Sequence, residues 1–130
     1  MENGFENEYV YLNMIDDILH VTYKPNALIT LEAAKQVVKD RLEYVNFVPK
    51  CILAEVSNIK NSSKEAREYL SKSDGGLKGI IAGAFVSKQV FSYFILNLFF
   101  KIVMPSVPTK YFMEKEQALE WLHEIQQKTK

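Results

Sequence analysis

Two imidazoles, one thiol and one glycine-rich stretch are the groups in this 130-residue chain whose types could carry chemistry. His123 follows Glu120 by three residues, which puts both on one face of a helix, but structural zinc asks for four N or S ligands and no convergent partners can be read. No metal is expected. His20 falls in a strand and is expected on a half-exposed face. Cys51 opens an apolar strand with no cation or helix N-terminus fixed beside it, so it reads as a small buried hydrophobe and not as a nucleophile. Gly75-Gly76-Leu77-Lys78-Gly79 follows a predicted helix and precedes a predicted strand. A phosphate-binding loop needs the reverse order, with a helix N-terminus facing the phosphate, so a flexible helix cap is expected here. No Ser-His-Asp order, paired carboxylates or Walker-type motif is present. The chain is expected to have no catalytic residues, to bind no cofactor and not to be an enzyme.

The elements that would position these residues follow from periodicity. Tyr9 to Ile15 and Ile18 to Tyr23 are β-rich runs joined by Asp16-Asp17, which predicts a hairpin. Thr30 is the expected N-cap of a helix running to about Asn46, with Leu31, Ala34, Val37, Val38, Leu42 and Val45 at helical spacing. Cys51 to Val56 and Ile80 to Val86 are nearly continuous apolar runs, as expected for strands buried on both faces. Between them Ser62-Ser63-Lys64-Glu65 supplies a capping box for a short second helix. A third helix is predicted over Lys88 to Val103, a last short strand over Thr109 to Phe112, and a last helix over Glu114 to Gln127. The last helix has Ala118, Leu119, Trp121, Leu122 and Ile125 on its apolar side. The order β-β-α-β-α-β-α-β-α predicts an α/β fold with a mixed sheet and helices packed on it. One domain over residues 1–130 is expected, with residues 1–8 frayed.

Sixteen Lys plus Arg balance sixteen Asp plus Glu, and no basic cluster stands out. Nucleic acid is therefore not an expected partner, because such binders gain affinity through a basic face that releases counterions. The acidic start and the single cysteine suit a reducing compartment, and a cytoplasmic location is expected. Asn61-Ser62-Ser63 matches a glycosylation sequon, a pattern common by chance.

Charge is unevenly spread. From Ile80 to Met104 there are two lysines and no acid. In the predicted third helix Phe91, Phe94, Ile95, Leu98, Phe99 and Ile102 form an arc that continues through Val103, Leu96 and Phe100, about twice the width that covering one sheet face requires. Leu96, Phe99, Phe100 and Val103 lie on its far edge. Three covers are open: the rest of the monomer, a second copy in a homodimer, or a lipid or other small apolar ligand. Asn97 and Lys101 interrupt a run already shorter than the ~18 residues of a membrane span, so no transmembrane segment is expected.

Glu55-Val56-Ser57-Asn58-Ile59-Lys60-Asn61-Ser62-Ser63 resembles the strand-loop-helix segment of STAS domains, the fold of anti-sigma-factor antagonists. Lys64 to Leu70, Pro108 to Phe112 and Ala118 to Leu122 resemble runs in small stand-alone bacterial STAS-like proteins. The element order is more loosely similar to CRAL-TRIO lipid-binding proteins. The resemblance implies a regulatory or protein-interaction module, self-associating or bound to a protein partner, with carriage or sensing of an apolar ligand as the alternative. It also implies a phosphoacceptor at Ser62 or Ser63, although the aspartate and glycine of the antagonists' Asp-Ser motif are replaced here by Asn61 and Lys64-Glu65.

Overall fold

The computed structural model describes residues 4–88 and 106–128. Six strands form one sheet in the order β1-β2-β3-β5-β7-β8, and β4 and β6 form a separate parallel pair. The strands are β1 (Phe5–Glu6), β2 (Val10–Ile15), β3 (Ile18–Tyr23), β4 (Ala27–Ile29), β5 (Lys50–Glu55), β6 (Ile59–Ser62), β7 (Ile80–Val86) and β8 (Thr109–Phe112). The described helices are α1 (Leu31–Tyr44), α2 (Lys64–Leu70) and α3 (Lys115–Lys128). The predicted hairpin is β2–β3, and β3–β5, β5–β7 and β7–β8 are parallel, so the sheet is mixed as expected.

Three short strands were not legible in the sequence. Phe5–Glu6 pairs with Tyr11 and Leu12, which corrects the expectation of a frayed start at these positions. β4 and β6, with three and four residues, have no alternating pattern long enough to read and exist through pairing with each other. The predicted helix over 88–103, with Leu96, Phe99, Phe100 and Val103, lies outside the described residues apart from Lys88.

Strand alternation divides the interior into two layers. On the first face Val10, Leu12, Leu19, Val21, Ile52 and Ala54 pack against Ala33, Ala34 and Val37 of α1. On the second, Ile18, Cys51, Leu53, Ala82, Ala84 and Val86 meet Ala118 and Leu122 of α3, and Phe112 and Trp121 stack at 5.8 Å. Burying each large side chain stabilises the fold by about 1.5–3 kcal/mol. Thr30 caps α1 as expected, its hydroxyl accepting from Ala33 N–H at 3.1 Å.

The hairpin turn carries a local cost. Asp16 and Asp17 both have positive φ, 52° and 62°, the signature of a two-residue turn whose twist matches the strands. Asn-Gly adopts that geometry with less strain. Asp17 is paired with Lys50, but its side chain is exposed, so little would be lost by replacing it. The double substitution Asp16→Asn/Asp17→Gly is expected to raise stability by about 1 kcal/mol, read as a higher urea midpoint at unchanged slope.

Candidate functional site

The segment resembling the strand-loop-helix of STAS domains begins where β5 leaves the sheet. Val56 N–H donates to Val86 carbonyl, and Ser57 then turns the chain. The Glu55 carboxylate accepts from both Ser57 N–H and Ser57 Oγ, while Ser57 Oγ accepts from Lys88 N–H at 3.1 Å. These bonds tie the turn to the end of β7.

β6 then runs beside β4, with Leu28 opposite Asn61 and Ile29 opposite Ser62. In a parallel pair, residues in register share a face, which here sends Leu28 and Asn61 outward and leaves Leu28 57% exposed. Asn61 Oδ1 accepts from Ser62 N–H at 2.8 Å. Ser63 N–H donates to Ile29 carbonyl, which closes the small sheet.

The two serines have different tasks. Ser63 is the N-cap of α2, its Oγ accepting from Ala66 N–H at 3.0 Å. The capping box expected from Ser62 to Glu65 does not form, because the cap lies one residue later and position Ala66 has no side-chain acceptor to return the bond. Ser62 is the last residue of β6. Arg67 Nη1 donates to its carbonyl at 2.6 Å and to its Oγ at 3.1 Å. Ser63→Ala is therefore expected to cost about 1 kcal/mol, and Ser62→Ala less than half of that, in paired urea unfolding curves.

Sequence reading located both serines. It did not name Arg67, whose spacing of five residues from Ser62 follows no single-helix rule because Ser62 lies outside α2. Lys60, Asn61 and Lys64 are exposed around the pair, and Lys64 Nζ lies 3.9 Å from Glu68 Oε1. The surface combines an apolar side chain, amides, cations and one hydroxyl held by a guanidinium.

The other singled-out residues lie elsewhere. Cys51 is buried as expected, and burial pushes its thiol pKa up. His123 Nδ1 meets Gln126 Oε1 at 2.9 Å. His20 is 6% exposed, which corrects the half-exposed expectation: a polar residue type hid a core position in β3. The glycine-rich stretch is not a loose cap, since Gly75, Gly76 and Leu77 are buried and bonded back to Lys72 and Tyr69. Among the described residues, no helix is long and apolar enough to cross a membrane.

A crystal structure of an uncharacterised protein of the DUF3478 family from Shewanella loihica PV-4, described as having a SpoIIAA-like fold, superposes with a TM-score of 0.61. The match covers 91% of this chain and 98% of that one at 16% identity, which shows a shared fold. The fold is thus SpoIIAA-like, that is STAS-like, as the residues around Ser62 suggested. No curated protein sequence matches the chain. A family model described as Domain of unknown function (DUF7793) matches residues 11–126, so the chain belongs to that family.

Proposed function

We propose that this chain is a non-catalytic, regulatory module of STAS type that works by contact with a protein, and that Ser62 is the residue whose modification sets the strength of that contact. The observation that carries this reading is the pairing of Ser62 with Arg67 on a turn pinned at both ends. A phosphoryl group on Ser62 Oγ would bring about −1.5 to −2 charges and three acceptor oxygens to a guanidinium already within hydrogen-bond reach. Both hydroxyl oxygens accept one bond, but the donor at Ser62 is the guanidinium that would pair with a phosphate, whereas the donor at Ser63 is the Ala66 N–H of the α2 cap. The contact surface extends from the 57–63 turn to Leu28, an exposed apolar anchor beside cationic Lys60.

Self-association is part of the proposal, with Leu96, Phe99, Phe100 and Val103 as the self-contact. Its support is the sequence pattern of residues 88–103. Light scattering across a hundredfold concentration range tests it: a dimer that Phe99→Ala/Phe100→Ala dissociates agrees, and a concentration-independent monomer contradicts it. The buried thiol of Cys51 suits a reducing, cytoplasmic setting.

The test of the Ser62 reading is mass spectrometry of the protein isolated from its own cells. Phosphate on Ser62 supports it; unmodified Ser62 and Ser63 under every growth condition count against it.

A further inference from the structure

The least satisfied atom among the described residues is in the sheet interior. His20 is 94% buried, and its Nε2 has no hydrogen-bond partner among the described residues. Buried polar atoms are almost always paired, so an orphan asks for a reason. Alternation along β3 puts His20 on the face of Ile18, and the β3–β5 register sets it opposite Leu53. Both belong to the cluster that includes Ala118 and Leu122 of α3.

Among the described residues, two charged groups bear on His20. Lys115, at the start of α3, disfavours a second positive charge, and Asp16, at the hairpin turn, favours it weakly. The β5 neighbour Cys51 is neutral, its thiol pKa raised. Opposite on β2 stands Asn13, and the inward side chains of β7 are Ala82, Ala84 and Val86, none of which titrates. Burial is the largest influence and works with Lys115, so the imidazole pKa falls from 6.5 to about 4.

We propose that His20 is a proton-operated latch on this layer: the neutral imidazole lets α3 seat on the sheet, and the charged one loosens it. A neutral ring leaves one weak orphan, whereas a charged ring leaves a desolvated cation facing Lys115. The direction follows from proton counting. An unfolded chain takes up the proton near pH 6.5, while the folded chain resists until about pH 4. The stability contributed by the neutral ring is therefore complete above pH 6.5 and declines as pH falls through that window.

Three readouts test the latch. NMR titration of the His20 ring, assigned with His20→Gln, is expected to show a neutral ring until below pH 5. Fluorescence of Trp121, the single tryptophan, which sits in α3 against Phe112, is expected to shift red as His20 charges. Between pH 7 and 4.5 the folding constant of the wild type is expected to fall roughly 10- to 50-fold more than that of His20→Leu. A ring that titrates near pH 6.5 in the folded protein, a Trp121 spectrum that does not move when it charges, or equal pH dependence in wild type and variant would each overturn the proposal. Should His20→Leu not fold, the wild-type NMR and fluorescence titrations decide.

Discussion

Gly76→Ala is expected to destabilise the fold by about 3 kcal/mol or more, far beyond an ordinary glycine substitution. A Cβ at Gly76 would lie 2.0 Å from the Leu70 carbonyl oxygen, 2.3 Å from Leu70 Cα and 2.4 Å from Leu70 C. Every one of those atoms is backbone, so no rotamer change relieves the clash. The segment would have to move away from the end of α2 and break the bond from Gly76 N–H to Tyr69 carbonyl. The other glycines set the scale. Gly79, with φ of 73° and Leu42 Cδ2 at 3.0 Å, meets a movable methyl and is expected to cost about 1–2 kcal/mol as alanine. Gly83 finds its nearest contact, Phe85 Cε2, at 3.7 Å and is expected to tolerate alanine at no cost. Urea midpoints at constant slope would establish this order; a Gly76→Ala protein as stable as Gly83→Ala would contradict the packing of the 71–79 segment.

Arg41→Ala is expected to cost about 3 kcal/mol, because it strips the buried Gly76 carbonyl and the partly buried Lys78 carbonyl of their donor. Arg41 is 4% exposed and its Nη2 donates to Gly76 carbonyl at 3.1 Å and Lys78 carbonyl at 3.0 Å. Burial lowers its pKa from 12.5 to about 10, against the opposing influence of Tyr23 and Tyr69, so it is charged at neutral pH. A buried cation balanced by carbonyls is costly to hold, so Arg41→Met, which fills similar space without charge, is expected to recover about half the loss. Hydrogen exchange at Leu77 and Ile80, whose amides bond within this segment, should accelerate in both variants. Because Arg41 and Gly76 share a carbonyl, the Arg41→Ala/Gly76→Ala double variant should lose about 1 kcal/mol or more less than the sum. Additive losses would show that the bond does not couple them.

Arg41 also shows how far the sequence carried. Its position falls in the stripe of Ala34, Val37, Val38, Leu42 and Val45, yet a stripe read from apolar residues passes over a buried cation. His20 misled in the same way, on a strand whose central place in the sheet only the pairing with β5 reveals. Periodicity served well where one layer covers a long element: Ala118, Leu119, Trp121, Leu122 and Ile125 of α3 all pack in the second layer as expected. It failed for β1, β4 and β6, because two to four residues carry no period and their pairing is set by distant chain. At the candidate site the serine pair was legible as a helix start. Which serine caps was not, since Ser62 and Ser63 differ only in backbone placement. Arg67 and the Ser57–Glu55 anchor emerge only when β5, β6 and α2 are assembled.

The central claim is that a protein contact is set by the state of Ser62. Cleavage after Glu55 and Glu65 of protein from its own cells releases the ten-residue peptide Val56 to Glu65, which carries Ser57, Ser62 and Ser63. Fragmentation of that peptide is predicted to place phosphate on Ser62, with Ser57 and Ser63 unmodified. The peptide found without phosphate throughout growth, or with phosphate on Ser63 alone, would contradict the account.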